Sequence, residues 1–219
     1  TRMVAQAVKV FGRLDIVVAN AAAPQARSFH KLTLAEFREV FDVGFLGALH
    51  LLHAAWPMLR KQEHGRVILT SSSAGRYGQH GLSAYGASKS AVDSLVRTLA
   101  AEGASKGICV NAISPYARTS MTAGHIEGEM AAVFSPDKVA PLLVWLGSET
   151  CTINGAILVA GGGRFRSVET QETVSLAADD GFEDLMDRLQ DAPRETHPNS
   201  NHAFDTLLSE CGLTPRTPI

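Results

Sequence analysis

Four short runs of apolar and β-branched residues recur along the first three quarters of the chain. None of them alternates with polar residues, as a strand with one face in water would, so each is typical of a strand that is covered on both faces of a parallel sheet. The pattern predicts strands at residues 14–20, 66–72, 108–113 and 156–160.

Longer segments with apolar residues at helical spacing separate these runs. They predict helices over residues 32–61, where two helices follow one another, over 85–105 and over 136–146. Residues 1–12 are typical of the end of an amphipathic helix. Because strands and helices alternate, we predict an α/β fold with a doubly wound, Rossmann-like parallel sheet in a single domain.

The charge changes near Arg164. Residues 1–164 hold 16 basic and 11 acidic side chains, a balance of +5, whereas residues 165–219 hold 4 basic and 11 acidic, a balance of −7. We therefore predict a domain over 1–164 and an acidic helical extension over 165–219. The extension is either a surface element that packs on the domain or a lid or partner contact. Its two amphipathic stretches contain Phe182, Leu185, Met186 and Leu189, and then Phe204, Leu207 and Leu208.

Composition restricts the function classes. The chain has 219 residues, 45% of them hydrophobic and 19% charged, with a net charge of −2, which is ordinary globular composition. We expect neither a nucleic-acid nor a membrane partner. The three scattered cysteines, Cys109, Cys151 and Cys211, provide no disulfide framework and no metal-ligand spacing, so we expect no metal and a cytoplasmic location.

The strongest chemical motif is Tyr85-Gly86-Ala87-Ser88-Lys89. Residues four apart share a helix face, so the ammonium of Lys89 is predicted to lie beside the phenol of Tyr85 and to lower its pKa. Such a phenol exchanges a proton with a ketone or an alcohol. Upstream, Ser72 ends a predicted strand, where its hydroxyl and the phenol can converge on one carbonyl oxygen.

These motifs together resemble the short-chain dehydrogenase/reductase family, over about residues 3–163. The resemblance implies that Tyr85 is the general acid/base, that Lys89 lowers the phenol pKa and holds the nicotinamide ribose, and that Ser72 polarises the substrate carbonyl. It also implies NAD or NADP as cofactor, with NAD favoured. The matching features are Asn20-Ala21-Ala22, Ser72, Tyr85 with Lys89, and Ser114-Pro115 with Thr119.

The same resemblance implies two further groups of site residues. The predicted cofactor-binding residues are Asn20, Ala21, Ala22, Tyr85, Lys89, Pro115 and Thr119. The predicted substrate-pocket residues are Ser73, Tyr77, His80 and Tyr116.

Three features depart from the family pattern. The glycine-rich turn and the strand-end residue that selects the cofactor are absent from the front, so we expect about sixty to seventy residues of two βα units to precede Thr1. Gly44 stands where the family has an active-site Asn, and Pro115-Tyr116 replaces the usual Pro-Gly.

Within the family, residues 54–78 and 135–163 resemble the (3R)-hydroxyacyl-CoA dehydrogenase unit of peroxisomal multifunctional enzyme type 2. We therefore expect an oxidoreductase that interconverts a secondary alcohol and a ketone, with a 3-hydroxyacyl-CoA as a candidate substrate. Alternatives are a reductase of steroid-like or simple ketones, an epimerase or dehydratase relative, and a non-catalytic assembly module. The apolar segment 41–59 indicates burial against both the sheet and another subunit, and the resemblance implies a homodimer or homotetramer.

Overall fold

The computed structural model describes residues 2–177 and 181–214. The chain divides into two compact units, Thr1–Val168 and Glu169–Ile219. The boundary that the charge change predicts, near Arg164, lies a few residues before this division.

The first unit contains seven α-helices and five strands among its described residues. The helices are α1 (Arg2–Phe11), α2 (Leu34–Phe41), α3 (Gly47–Gln62), α4 (Ala74–Tyr77), α5 (Ser83–Gly103), α6 (Glu129–Val133) and α7 (Ala140–Leu146). The strands are β1 (Ile16–Ala19), β2 (Gly65–Thr70), β3 (Ile108–Tyr116), β4 (Ile157–Gly161) and β5 (Arg164–Ser167). A π-helical segment, Asp42–Leu46, joins α2 to α3, and single 3-10 turns lie at Phe29–Lys31, Ala104–Lys106 and Pro136–Lys138.

The five strands form one sheet in the order β1-β2-β3-β4-β5. The first four are parallel, with Val17 opposite Val67 and Val67 opposite Val110, which confirms the predicted parallel sheet. The fifth strand is antiparallel to β4 and was not predicted. Its side chains are all exposed, so it has no apolar run that would reveal it in the sequence.

The glycines after β4 form a tight turn. Gly162 and Gly163 both have positive φ, at 59° and 73°, and Gly161 pairs with Arg164 across the resulting hairpin. A two-residue loop with both φ values positive matches the twist of the strands it joins. These small residues therefore reverse the chain between β4 and β5.

Helices pack on both faces of the sheet and bury a separate apolar cluster on each. Side chains of α3 and α5 cover one face, and α7 covers the other, as expected of a sheet wound on both sides. The first cluster contains Val17, Leu52, Ala55, Leu59, Val67, Leu69, Val92, Val96, Ala100, Ile108, Val110, Ala112 and Ile157. The second contains Ile68, Ile113, Val139, Leu146, Cys151 and Ala160.

The described residues of the second unit form two helices and a small sheet. Strands β6 (Glu172–Thr173) and β7 (Arg194–Glu195) pair antiparallel, and the helices are α8 (Phe182–Asp191) and α9 (Ser200–Glu210). Both helices coincide with the amphipathic stretches of the sequence, whereas the two short strands were not predicted. No helix in the described residues has the length and apolar character needed to cross a membrane.

Candidate active site

The carboxyl ends of the parallel strands lie at one edge of the sheet and bring the predicted residues together. Asn20 follows β1, and the hydroxyl of Thr70, at the end of β2, donates a hydrogen bond of 2.7 Å to the Asn20 Oδ1. Ser72 follows two residues later, and Ser114 lies in the next strand, β3. In open α/β sheets, this edge is where ligands bind.

Ser72 lies in the turn that leads from β2 into α4. Its hydroxyl accepts a hydrogen bond of 3.2 Å from the Ala74 amide, and its carbonyl accepts one from Gly75. A Cβ on Gly75 would lie 2.8 Å from the Ser90 amide nitrogen, and a Cβ on Gly86 would lie 2.9 Å from the Ala74 carbonyl oxygen. The two glycines therefore let α4 lie directly on the backbone of α5, which fixes Ser72 relative to that helix.

Tyr85 and Lys89 lie one turn apart in the first half of α5. Lys89 is buried, with 1% of its surface exposed, and its Nζ donates a hydrogen bond of 2.7 Å to the Thr70 carbonyl. The same Nζ lies 5.7 Å from the centre of the Tyr85 ring. The helix thus places the phenol and the ammonium side by side at the edge of the sheet where Ser72 lies.

Burial changes both acid–base groups. It lowers the pKa of Lys89 to about 8, because an ammonium loses hydration there, and the negative charge of Asp93 opposes this shift. Burial raises the pKa of Tyr85, and a hydrogen bond with Ser72 partly offsets the increase. The predicted net lowering of the Tyr85 pKa toward neutrality is therefore wrong for this structure, because desolvation of the phenol exceeds the effects that lower the pKa.

Gly44 lies in the π-helical segment, where it is buried against α5. A Cβ at this position would lie 2.7 Å from the Ser88 Oγ and 3.2 Å from the Ser88 Cβ. The Ser88 hydroxyl is itself held, because it donates a hydrogen bond of 2.8 Å to the Tyr85 carbonyl. The close approach of two helices thus favours a glycine here, because a Cβ at this position would require Ser88 to move.

The remaining predicted cofactor residues lie at the strand ends or on the loops at the same edge. Ala21 and Ala22 follow Asn20, Pro115 pairs with Ala160 in the sheet, and Thr119 lies on the exposed loop after β3. The Thr119 hydroxyl accepts a hydrogen bond of 3.2 Å from the Met121 amide, which shapes that loop. The Lys89 ammonium fits the hydroxyls of a nicotinamide ribose. An ammonium has three N–H donors, and the Thr70 carbonyl uses one of those on Lys89.

The four predicted pocket residues lie on different elements. Ser73 directly precedes the short helix α4, and Tyr77, at the end of this helix, is 79% exposed. Tyr116 ends β3 and is partly exposed. His80 lines a cavity of about 460 Å³ formed with α4 and the start of α5, and none of the three predicted catalytic residues is in its described lining. The substrate-pocket assignments stay predictions.

Two charged residues outside the predicted set, Arg76 and Asp93, form an ion pair next to Ser71, the neighbour of Ser72. Arg76 is in α4, and Asp93 is one turn beyond Lys89 in α5. Asp93 shares the buried side of α5 with Val92 and Val96, which was the signal available in the sequence. A carboxylate in such a position needs a partner.

Side chains that could bind a metal do not cluster in the described residues. No group of three or more His, Cys, Asp or Glu side chains there has suitable positions.

A family model described as short chain dehydrogenase matches residues 1–129. A short-chain type dehydrogenase/reductase of Mycobacterium tuberculosis is 38% identical over 162 residues, which are 74% of this chain and 57% of that protein. Mouse peroxisomal multifunctional enzyme type 2 is 34% identical over 173 residues, 79% of this chain and 24% of that protein. The chain is also 33% identical over 166 residues to an acetoacetyl-CoA reductase of Shinella zoogloeoides, covering 70% of the chain and 69% of the reductase.

Solved structures share the fold. The full-length peroxisomal multifunctional enzyme type 2 of Drosophila melanogaster matches with a TM-score of 0.76 and 26% identity, over 89% of this chain and 37% of that one. A short chain dehydrogenase from Mycobacterium avium matches with a TM-score of 0.75 and 30% identity, over 90% and 70%. This chain therefore spans about half of the mycobacterial relative and a smaller share of the multifunctional enzymes.

Proposed function

This chain belongs to the short chain dehydrogenase family, and from that premise we propose that it is the catalytic part of an NAD(P)-dependent oxidoreductase that interconverts a secondary alcohol and a ketone. The observation that supports the proposal most strongly is the convergence of three side chains. Ser72, Tyr85 and Lys89 come from a strand end and one helix face, and the hydrogen bond of Ser72 acts on the pKa of the Tyr85 phenol.

In this proposal, each of the three residues acts on the substrate oxygen or its proton. The Ser72 hydroxyl donates a hydrogen bond to the carbonyl oxygen and holds it against the phenol. The Tyr85 Oη gives its proton to that oxygen during reduction and takes it back during oxidation. The Lys89 ammonium, 5.7 Å from the ring centre, stabilises the phenolate that forms. Hydride transfer is the chemistry that a bound nicotinamide supplies.

The same chain would hold the cofactor with residues at the strand ends. Lys89 and Tyr85 would bind the nicotinamide ribose, and Thr119 would bind the carboxamide. The short side chains of Ala21 and Ala22 leave space beside the adenosine. We favour NAD over NADP, and a comparison of turnover with NADH and NADPH under the same conditions decides between them.

We propose a CoA thioester, a 3-hydroxyacyl-CoA or its 3-keto form, as the substrate. Support comes from the similarity to an acetoacetyl-CoA reductase and to multifunctional enzymes of the peroxisome. The competing substrates are steroid-like and simple ketones without CoA, which the same three residues could reduce.

Two further proposals concern the assembly and the location. We propose a homodimer or homotetramer, supported by the apolar segment around α3, and light scattering of the purified protein measures the oligomeric state directly.

We propose a cytoplasmic location, although the similar multifunctional enzymes carry the word peroxisomal in their names. Microscopy of a tagged full-length protein distinguishes the two compartments.

The test of the activity is a cofactor-linked assay of the full-length protein. Acetoacetyl-CoA, a cyclic ketone and a steroid ketone are each supplied with NADH and with NADPH, and absorbance at the reduced-nicotinamide band is followed. We expect turnover with at least one ketone and the highest kcat/KM with acetoacetyl-CoA. Absence of turnover with all three ketones, despite measurable cofactor binding, would overturn the proposal in favour of a non-catalytic member of the family.

A further inference from the structure

A buried polar network lies directly behind Ser72. It joins four elements, with Ser71 at the end of β2, Arg76 in α4, Asp93 in α5 and Ser114 in β3. The two serines are each 1% exposed, and the side chains of Arg76 and Asp93 are 11% and 6% exposed. Charged groups are rarely buried this deeply unless they are paired.

The guanidinium of Arg76 is the centre of this network. Its Nη1 donates hydrogen bonds of 3.1 Å to the Asp93 Oδ2 and to the Ser71 Oγ, and its Nη2 donates one of 2.8 Å to the Ser114 Oγ. The Ser71 hydroxyl in turn donates to the Asp93 Oδ1. A planar fork of donors can bridge three partners at fixed angles, which a lysine ammonium on a flexible stem cannot do.

Each partner in the network is next to a residue of the proposed active site. Ser71 directly precedes Ser72, and its amide donates to the Ile113 carbonyl of β3. Asp93 lies one helical turn after Lys89, so the two share a helix face. The network therefore ties together the chain segments whose relative position determines where the Ser72 hydroxyl lies with respect to the Tyr85 phenol.

The network also contributes a charge next to Lys89. The Asp93 carboxylate raises the pKa of Lys89 against the effect of burial. Lys89 also faces Tyr85 on its own helix and the neutral Thr70 carbonyl of β2, while Arg76 of α4 faces Asp93. Because Arg76 neutralises part of the Asp93 charge, the two residues have opposite effects on the proton of Lys89.

We propose that Arg76 and Asp93 are positioning residues of this active site, which hold Ser72 and Lys89 in place relative to Tyr85. The proposal rests on the proposed oxidoreductase function for its kinetic consequence. Its electrostatic consequence, the titration of Lys89, is a property of the folded chain and needs no turnover.

The first measurement is the titration of Lys89 by NMR in full-length protein labelled at the lysine ε-carbons, with the Lys89 signal assigned by its loss in Lys89→Met. We expect Asp93→Asn to lower the Lys89 pKa by about one unit or more. We expect Arg76→Gln to raise it, because the Asp93 charge is then no longer neutralised. A network that only stabilises the fold would leave this pKa unchanged in both variants, and that result would overturn the electrostatic part of the proposal.

The second measurement is the kcat/KM of Arg76→Lys. This variant keeps the positive charge beside Asp93 but cannot bridge both serines, so we expect a wild-type Lys89 titration together with a kcat that falls about tenfold or more at little change in KM. The control is Glu63→Gln, which breaks the exposed ion pair between Glu63 and Lys106 and should change neither the Lys89 titration nor the kcat. If wild-type protein turns over and Arg76→Lys keeps its kcat, positioning by Arg76 is wrong. If wild-type protein does not turn over, the proposed function fails, and the titration alone decides the inference.

Discussion

Replacing Gly44 by Ala tests the close approach of the π-helical segment to the helix that bears Tyr85. The added Cβ would lie 2.7 Å from the Ser88 Oγ, well inside van der Waals contact. Relief requires either that the helices separate or that the Ser88 hydroxyl rotates away and loses its hydrogen bond to the Tyr85 carbonyl. Overpacking of this kind costs about 1–3 kcal/mol.

Gly47→Ala is the matched control, because Gly47 begins α3 three residues later on the same continuous helical stretch. A Cβ there would meet its nearest atom, the Asp42 carbonyl oxygen, at 3.5 Å, which is ordinary contact. Gly47→Ala should therefore be neutral or gain up to about 1 kcal/mol of helix stability.

The overpacking cost of Gly44→Ala converts into a change of the melting temperature. At about 2–4 °C per kcal/mol for a chain of this size, Gly44→Ala should lower the Tm by about 2–12 °C.

The assay is thermal unfolding followed by circular dichroism, with urea unfolding as a second measure of the free energy. The double variant Gly44→Ala/Ser88→Ala removes the hydroxyl from the contact and should recover at least half of the lost stability. The interpretation is refuted if Gly44→Ala is as stable as Gly47→Ala, since Gly44 would then not be required by packing.

Two other predictions concern buried cations. The pKa of Lys89 is about 8 in the fold against 10.5 as its usual value, so the unfolded chain binds more protons between these pH values and stability should rise across that window by about 3 kcal/mol. Lys89→Met should be more stable near neutral pH and should lack this rise in urea unfolding at pH 7, 8, 9 and 10, whereas parallel pH profiles for both proteins would contradict the assignment. Arg66 is buried in β2 and donates to the carbonyls of Gly65, Gly107, Ser148 and Glu149, so Arg66→Met should lower the free energy of unfolding by about 3 kcal/mol. Arg60→Met, at an exposed position of α3, should change it by less than about 0.5 kcal/mol, and equal effects of the two substitutions would show that the Arg66 hydrogen bonds do not stabilise the fold.

Strands β2, β3 and β4 were predictable because burial on both faces leaves a continuous apolar run, whereas β1 has the same kind of run although Ile16 and Val18 are exposed. Along β2, for example, Val67 and Leu69 face one side of the sheet and Ile68 faces the other, and helices cover both sides. The exposed strand β5 and the short pair β6 and β7 have no such run. Backbone hydrogen bonds pair these strands, and the turn at Gly162 and Gly163 brings β5 beside β4, so hydrophobic patterning could not reveal them.

The proximity of Ser72, Tyr85 and Lys89 was predictable, but their electrostatics was not. Spacing along one helix and one strand end indicates that Tyr85, Lys89 and Ser72 lie close together. The direction of the Tyr85 pKa shift depends on how far the phenol is buried, which is a property of packing between segments distant in sequence. The ion pair between Arg76 and Asp93 was not predictable for the same reason, because packing of α4 against α5 brings the two residues together.

The most direct test of the proposed chemistry is the turnover of Tyr85→Phe in the full-length protein. This substitution removes one hydroxyl and leaves a ring of the same shape, so we expect the circular dichroism spectrum and cofactor binding to be retained. Cofactor-linked reduction of the best ketone substrate should fall by at least about a hundredfold, as expected for loss of the group that transfers the proton. Turnover within a few fold of wild type, in a variant that is folded and binds the cofactor, would contradict the central role of Tyr85.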